Sequence, residues 1–239
     1  MKRKIGLATA SFVQKRCSGN VQKLGISWGS TLAAFVKEYP YERRNHIEII
    51  PLVGGMGVEQ VHLHSNQLAY ELAKKMDATC AYLYAPAFVE KEELRTRLES
   101  MDDISSVLDK GREVDIAVVG IGNPVKYSTM ERIGYLKAKD LEELKSKGAV
   151  GDISSRFYDI DGREVDVSLN NRVIGITLDD LKNISLVVGV CEGQHKFESI
   201  LATLNGGYLD VLVVDEKNAI KLLETKHGRI KKKLSHNIG

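Results

Sequence analysis

Cysteine and proline are scarce in this chain, and no stretch of it is long and apolar. Its three cysteines, Cys17, Cys80 and Cys191, stand far apart with no Cys-x-x-Cys pair, a pattern of reduced, buried thiols rather than a disulfide framework. With four prolines there is no Pro/Ser-rich linker, and no repeat or low-complexity segment divides the chain. The formal net charge is only +2, so bulk electrostatics give no argument for a nucleic acid or a membrane as partner. No apolar run approaches the length of a membrane span, and Met1-Lys2-Arg3-Lys4 leads into a short mixed helix without a cleavage signal. The expected compartment is the cytoplasm. Also lacking are a Gly-x-Ser-x-Gly nucleophile turn, a Walker lysine after a glycine-rich loop and any Ser/His/Asp grouping. No catalytic residue, metal or cofactor is therefore assigned.

What is present is an ordinary globular composition, 43% hydrophobic and 28% charged over 239 residues, enough to bury a full core. Apolar runs of strand length recur at Ile47–Val53, Thr79–Tyr84, Val114–Gly120, Leu186–Val190 and Val211–Val214. They are continuous rather than alternating, as strands covered on both faces require. Helical patterns fall between them at Gln67–Met76, Lys91–Leu98, Ile104–Gly111, Leu141–Lys147, Lys196–Leu204 and Lys217–Leu223. This alternation predicts an α/β protein: a three-layer, Rossmann-like fold with a mainly parallel sheet. One stretch breaks the rhythm. From Val150 to Ile176 the residues read as a β-hairpin-like excursion, with Asp159-Ile160-Asp161-Gly162 as its turn signal. The organisation expected is one ligand-binding domain over residues 1–225 and a basic, mobile tail over 226–239.

The segment Gly25-Ile26-Ser27-Trp28-Gly29-Ser30-Thr31 closes a short apolar run and opens a helical stretch, Thr31 to Tyr39. A strand, a small-residue turn and a helix N-terminus present free backbone N–H groups to an anion, and Ser30 and Thr31 add hydroxyls. Glycine turns follow other strands at Gly54-Gly55-Met56-Gly57, Gly120-Ile121-Gly122-Asn123-Pro124 and Gly193. In open α/β sheets such loops line one crevice at the carboxyl ends of the strands, so a small-molecule pocket is expected there. Lys196, beside His195, is placed in the first turn of a helix, where the macrodipole disfavours a cation unless an anion shares the site. Asp152 can accept hydrogen bonds from sugar hydroxyls; the plainer alternative is that it pairs with Arg156.

Other features take structural readings. Trp28, the sole tryptophan, is expected to pack in the core. His62 and His64 are two residues apart with no third ligand near, and Asp159-x-Asp161-Gly162 lacks the later acidic ligand of a calcium loop. A metal is not expected at either place.

Taken in order, the Gly25–Thr31 turn, Pro51-Leu52-Val53-Gly54-Gly55, Ala85-Pro86-Ala87-Phe88, Gly120-Ile121-Gly122, Ala149 to Phe157, Arg172 to Ile176 and Lys196 resemble the effector-binding domain of the SorC family of bacterial transcriptional regulators. The match runs from the first helix to Leu223. The resemblance implies a fold akin to sugar-phosphate isomerases and deaminases, a phosphorylated sugar as effector, and a homo-oligomer, dimer or tetramer, whose assembly the effector controls. It implies that Gly29, Ser30 and Thr31 hold the phosphate, that Lys196 reaches it, and that Asp152 reads sugar hydroxyls. Gly54 and Gly55 match a loop covering the sugar, and Asn66 and Phe88 match positions near the pocket. Where several relatives carry a basic residue before the glycine pair this chain has Val53, so a monophosphate or neutral sugar derivative is expected rather than a bisphosphate or an imine. Family members carry an N-terminal helix-turn-helix, whereas Lys4 to Lys15 matches the first helix of the effector domain. DNA is accordingly expected as a partner only through an N-terminal domain absent from this chain.

The same opening turn also resembles the phosphate turn of ribose-5-phosphate isomerases, which makes a sugar-phosphate isomerase or deaminase the alternative. Such an enzyme needs a general base. Its acidic loop would fall near Gly120–Pro124, where the sequence has no carboxylate, so a non-enzymatic sensor is the expectation.

Overall fold

A computed structural model describes residues 1–125 and 128–225. Its frame is a six-stranded parallel sheet formed by β1 (Lys23–Ile26), β2 (Glu48–Pro51), β3 (Thr79–Cys80), β4 (Ile116–Gly122), β7 (Leu186–Val190) and β8 (Val211–Val213). The spatial order is β3-β2-β1-β4-β7-β8, so the chain builds outward from β1 in one direction and then from β4 in the other. That reversal opens a crevice beyond the carboxyl ends of β1 and β4.

The continuous apolar runs have a direct explanation in the side-chain period of two. Ile49, Val118 and Val188 enter one core; their neighbours Ile50, Val119 and Val187 enter the opposite one. The first core is closed by α1 (Lys2–Arg16), α2 (Ser30–Glu38) and α3 (Ser65–Met76). The second is closed by α5 (Asp102–Arg112), α8 (Leu178–Asn183) and α9 (Phe197–Gly206). Helix–sheet–helix is the three-layer arrangement the sequence pattern predicts. The strand expected over Thr79–Tyr84 is shorter: pairing stops at Cys80, and Tyr82 and Tyr84 stack on each other at the sheet edge instead.

The excursion between β4 and β7 is a hairpin, β5 (Gly151–Ile153) and β6 (Arg156–Tyr158), added antiparallel to the end of β4. Its first turn is Ser154-Ser155, both residues at positive φ (51° and 68°), which the sequence does not signal; the signalled Asp159–Gly162 segment makes the next one and returns the chain to an antiparallel bridge between Tyr158 and Glu164. There the Asp159 carboxylate accepts the N–H groups of Asp161 and Arg163. A third apolar cluster, including Trp28, Met130, Leu144 and Phe157, lies under this hairpin with the short helix α6 (Thr129–Arg132) and α7 (Ala138–Ser146). It forms the floor beside the crevice.

Residues 216–225 are helical, and the expected basic tail at 226–239 lies outside the described residues. Among the described residues no helix is long and apolar enough to cross a membrane.

Candidate ligand-binding site

The turn after β1 is held in one conformation by glycine. Gly29 has φ 126° with open space where a Cβ would stand, so backbone geometry, not crowding, selects glycine here. Its N–H donates to the Leu63 carbonyl, and the chain enters α2 at Ser30. No side chain caps α2, so the leading N–H groups at Ser30, Thr31 and Leu32 face outward without an intrahelical acceptor.

Lys196 approaches the same crevice from the far side of β4. It ends a single 3-10 turn, Gln194–Lys196, and stands at the N-cap of α9 rather than inside that helix. Its ammonium donates to the Ile121 carbonyl at 2.8 Å, and no carboxylate pairs with it within ion-pair distance among the described residues. Asn123, which follows β4, donates its side-chain amide to the His195 carbonyl and so ties the β4 loop to the lysine turn.

Asp152 completes the centre. It is 5% exposed, on β5 opposite Gly122. Burial pushes its carboxyl up to about 7, against the opposing pull of Lys196 and of the hydrogen bond from the Ser155 N–H. It does not pair with Arg156. That guanidinium, 4% exposed, donates to the carbonyls of Asn170, Val173, Gly175 and Ile176 and serves as an internal fastener for the 170–176 segment. The hairpin turn is locked to the turn after β1 twice: the Trp28 indole N–H donates to Ser155 Oγ, and Ser154 Oγ donates to Ser27 Oγ. Trp28 is thus both core packing and wall.

Five residues singled out from the sequence, Gly29, Ser30, Thr31, Asp152 and Lys196, therefore line one cleft. The other four do not line it. Gly54 and Gly55 bond to the Ile174 and Ala85 carbonyls, knitting the segment after β2 to its neighbours. Asn66 closes a two-way clasp with the Leu83 backbone, and Phe88 pairs with Val173 and leans on Tyr135. Asn123 lines the cleft too, in the glycine turn after β4 that the sequence places at the crevice, whereas the sequence reading missed Ser128, Thr129, Met130 and Ser154. These four reach the cleft through long-range packing.

Comparison with known proteins identifies the family. Residues 1–224 match the profile of the family described as "Putative sugar-binding domain". The chain is 28% identical over 200 residues to the deoxyribonucleoside regulator of Bacillus subtilis, covering 84% of this chain and 64% of that protein. It is 27% identical over 203 residues to the sorbitol operon regulator of Klebsiella pneumoniae, again covering 84% and 64%. The chain thus spans a little under two thirds of the length of these relatives. Among solved structures, a DeoR family transcriptional regulator from Listeria monocytogenes matches at 44% identity and TM-score 0.86, covering 91% of this chain and 85% of that one. The full-length sorbitol operon regulator SorC of Klebsiella pneumoniae matches at 26% identity and TM-score 0.87, covering 93% and 73%. The chain belongs to the sugar-binding domain family of SorC-type transcriptional regulators.

Proposed function

We propose that the cleft binds a phosphorylated sugar and that its occupancy biases the assembly of a longer regulator. The observation that carries the reading is the uncapped N-terminus of α2, facing the same cleft as Lys196 and the buried Asp152. An anion at Ser30 and Thr31 would accept the leading N–H groups and the lysine ammonium together. Asp152 would accept sugar hydroxyls. The ligand shifts assembly only by the difference in its affinity for the two states.

Thermal-shift measurement with pentose and hexose phosphates and their dephosphorylated forms tests the first half. A specific ligand at about 100 times its dissociation constant adds about 2.7 kcal/mol of stability. The shift is expected for phosphorylated sugars alone and is lost in Thr31→Ala plus Lys196→Ala. An undiminished shift in that variant places the ligand elsewhere. Sedimentation velocity with and without the best ligand tests the coupling to assembly.

One observation favours a second reading, proton transfer on the bound sugar. The sequence has no carboxylate near Gly120–Pro124, yet the fold supplies one there, since Asp152 packs on Gly122 with its carboxyl raised to about 7. A base with that affinity is suited to work near neutral pH. Incorporation of solvent deuterium next to the sugar carbonyl, abolished by Asp152→Asn, would establish it.

A further inference from the structure

The cleft does not end at the phosphate-type turn. Outside it lies a second recess that shares Ser30, Thr31, Thr129 and Lys196 with the inner cleft. Its rim adds Lys2 from the start of α1 and Arg132 from the end of α6, with His195 beside Lys196 and Glu192 as the lining carboxylate. Neither Lys2 nor Arg132 takes part in an ion pair with a described carboxylate. The crowding of positive charge is visible at His195, whose ring is held below the usual imidazole range by burial, Lys196 and Lys2, with Glu192 opposing.

This charge exceeds what one phosphate calls for. A phosphomonoester at Ser30 and Thr31 already meets the leading N–H groups of α2 and the Lys196 ammonium. Lys2 and Arg132 line only the second recess and Asp152 only the inner cleft, with Ser30, Thr31, Thr129 and Lys196 shared between them, so an anion reaching the two basic residues extends from the phosphate and not from the far end of the sugar. Resting on the sugar-phosphate reading above, we infer that the ligand carries a second anionic group on the outer side of its phosphate, a diphosphate-type substituent held by Lys2 and Arg132.

Calorimetric titration of the full chain with inorganic phosphate and with pyrophosphate, at an ionic strength of about 0.15 M to screen distant charges, tests the inference. Pyrophosphate is expected to bind about tenfold more tightly than phosphate, a difference of about 1.4 kcal/mol. Lys2→Ala plus Arg132→Ala is expected to erase that preference while phosphate binding stays within about threefold. Lys4→Ala plus Lys15→Ala, which removes the same charge from exposed positions of α1 outside the recess, is expected to keep it. Equal affinities in the unaltered protein, or a preference that survives loss of Lys2 and Arg132, overturn the second subsite and leave the inner one standing. If Thr31→Ala plus Lys196→Ala leaves phosphate binding intact, or if neither anion binds, the reading of the turn falls and this inference falls with it.

Discussion

Gly122 and Asp152 face each other across the β4–β5 pair so closely that a Cβ on the glycine would stand 1.9 Å from the aspartate Oδ1. The absence of a side chain at 122 is what admits a carboxylate to the floor of the cleft. Gly122→Ala must therefore turn the carboxylate away or separate the strands. We expect it to weaken sugar-phosphate binding at least about tenfold, the scale of one lost charge-assisted hydrogen bond, with the fold retained. Trp28, the sole tryptophan, lines the same cleft, so quenching or enhancement of its fluorescence provides the titration. Unchanged affinity in Gly122→Ala would separate Asp152 from ligand recognition.

The raised carboxyl of Asp152 has a stability consequence of definite sign. The usual aspartate value is 3.8 and the folded value is about 7. The folded chain thus holds the proton more tightly than the unfolded one. Its stabilising contribution is complete below pH 3.8 and is lost as pH rises through about 7. Asp152→Asn, neutral throughout, escapes that loss. In the absence of ligand it is expected to be more stable than the unaltered chain at pH 8, by on the order of 4 kcal/mol at most, and by clearly less at pH 5. Melting temperatures at the two pH values decide it; a gap that fails to widen toward pH 8 would refute the assignment.

Arg156 offers a contrasting case, a buried cation whose partners are all carbonyls. Arg156→Met leaves the acceptors at Asn170, Val173, Gly175 and Ile176 without this donor. Each unsatisfied buried acceptor costs about 1–3 kcal/mol, so a loss of at least about 3 kcal/mol is expected in urea melts. Arg156→Lys, with a single ammonium in place of the planar fork, should recover only part of it. A change under about 1 kcal/mol in Arg156→Met would mean that water replaces the guanidinium.

These residues also mark how far the sequence could be read. The parallel sheet was legible because strands such as Ile116–Gly122 feed two cores and so are apolar at nearly every position. The glycine turn after β1 was legible as a strand–helix junction because glycine, serine and threonine have a local reason to be there. Lys196 stood out as a cation at the start of a helix, and Asp152 as a carboxylate beside Gly151. Their meeting did not, since it depends on the hairpin turn at Ser154-Ser155. Serine pairs are a weak signal for positive φ, whereas Asp161-Gly162 is a strong one, so the later turn was legible and the first one was not. The role of Arg156 was hidden for a similar reason. A carboxylate four residues away invites pairing, and nothing local reveals four carbonyls from a segment 14 to 20 positions later.

Asn66 separates proximity from participation. The resemblance places it near the pocket, while its amide both donates to and accepts from the Leu83 backbone, at 3.0 and 2.9 Å. That clasp fastens the start of α3 to the chain beyond β3, next to Ser65, whose hydroxyl donates to the Val53 carbonyl. Asn66→Ala removes two partly buried hydrogen bonds, so a loss of about 1–3 kcal/mol is expected. Because no atom of Asn66 lines the cleft, affinity for the best sugar phosphate is expected to stay within about threefold. Urea melts and fluorescence titration on the same preparation measure the two quantities side by side. Stability held constant with affinity reduced tenfold or more would reverse the assignment and return Asn66 to the ligand.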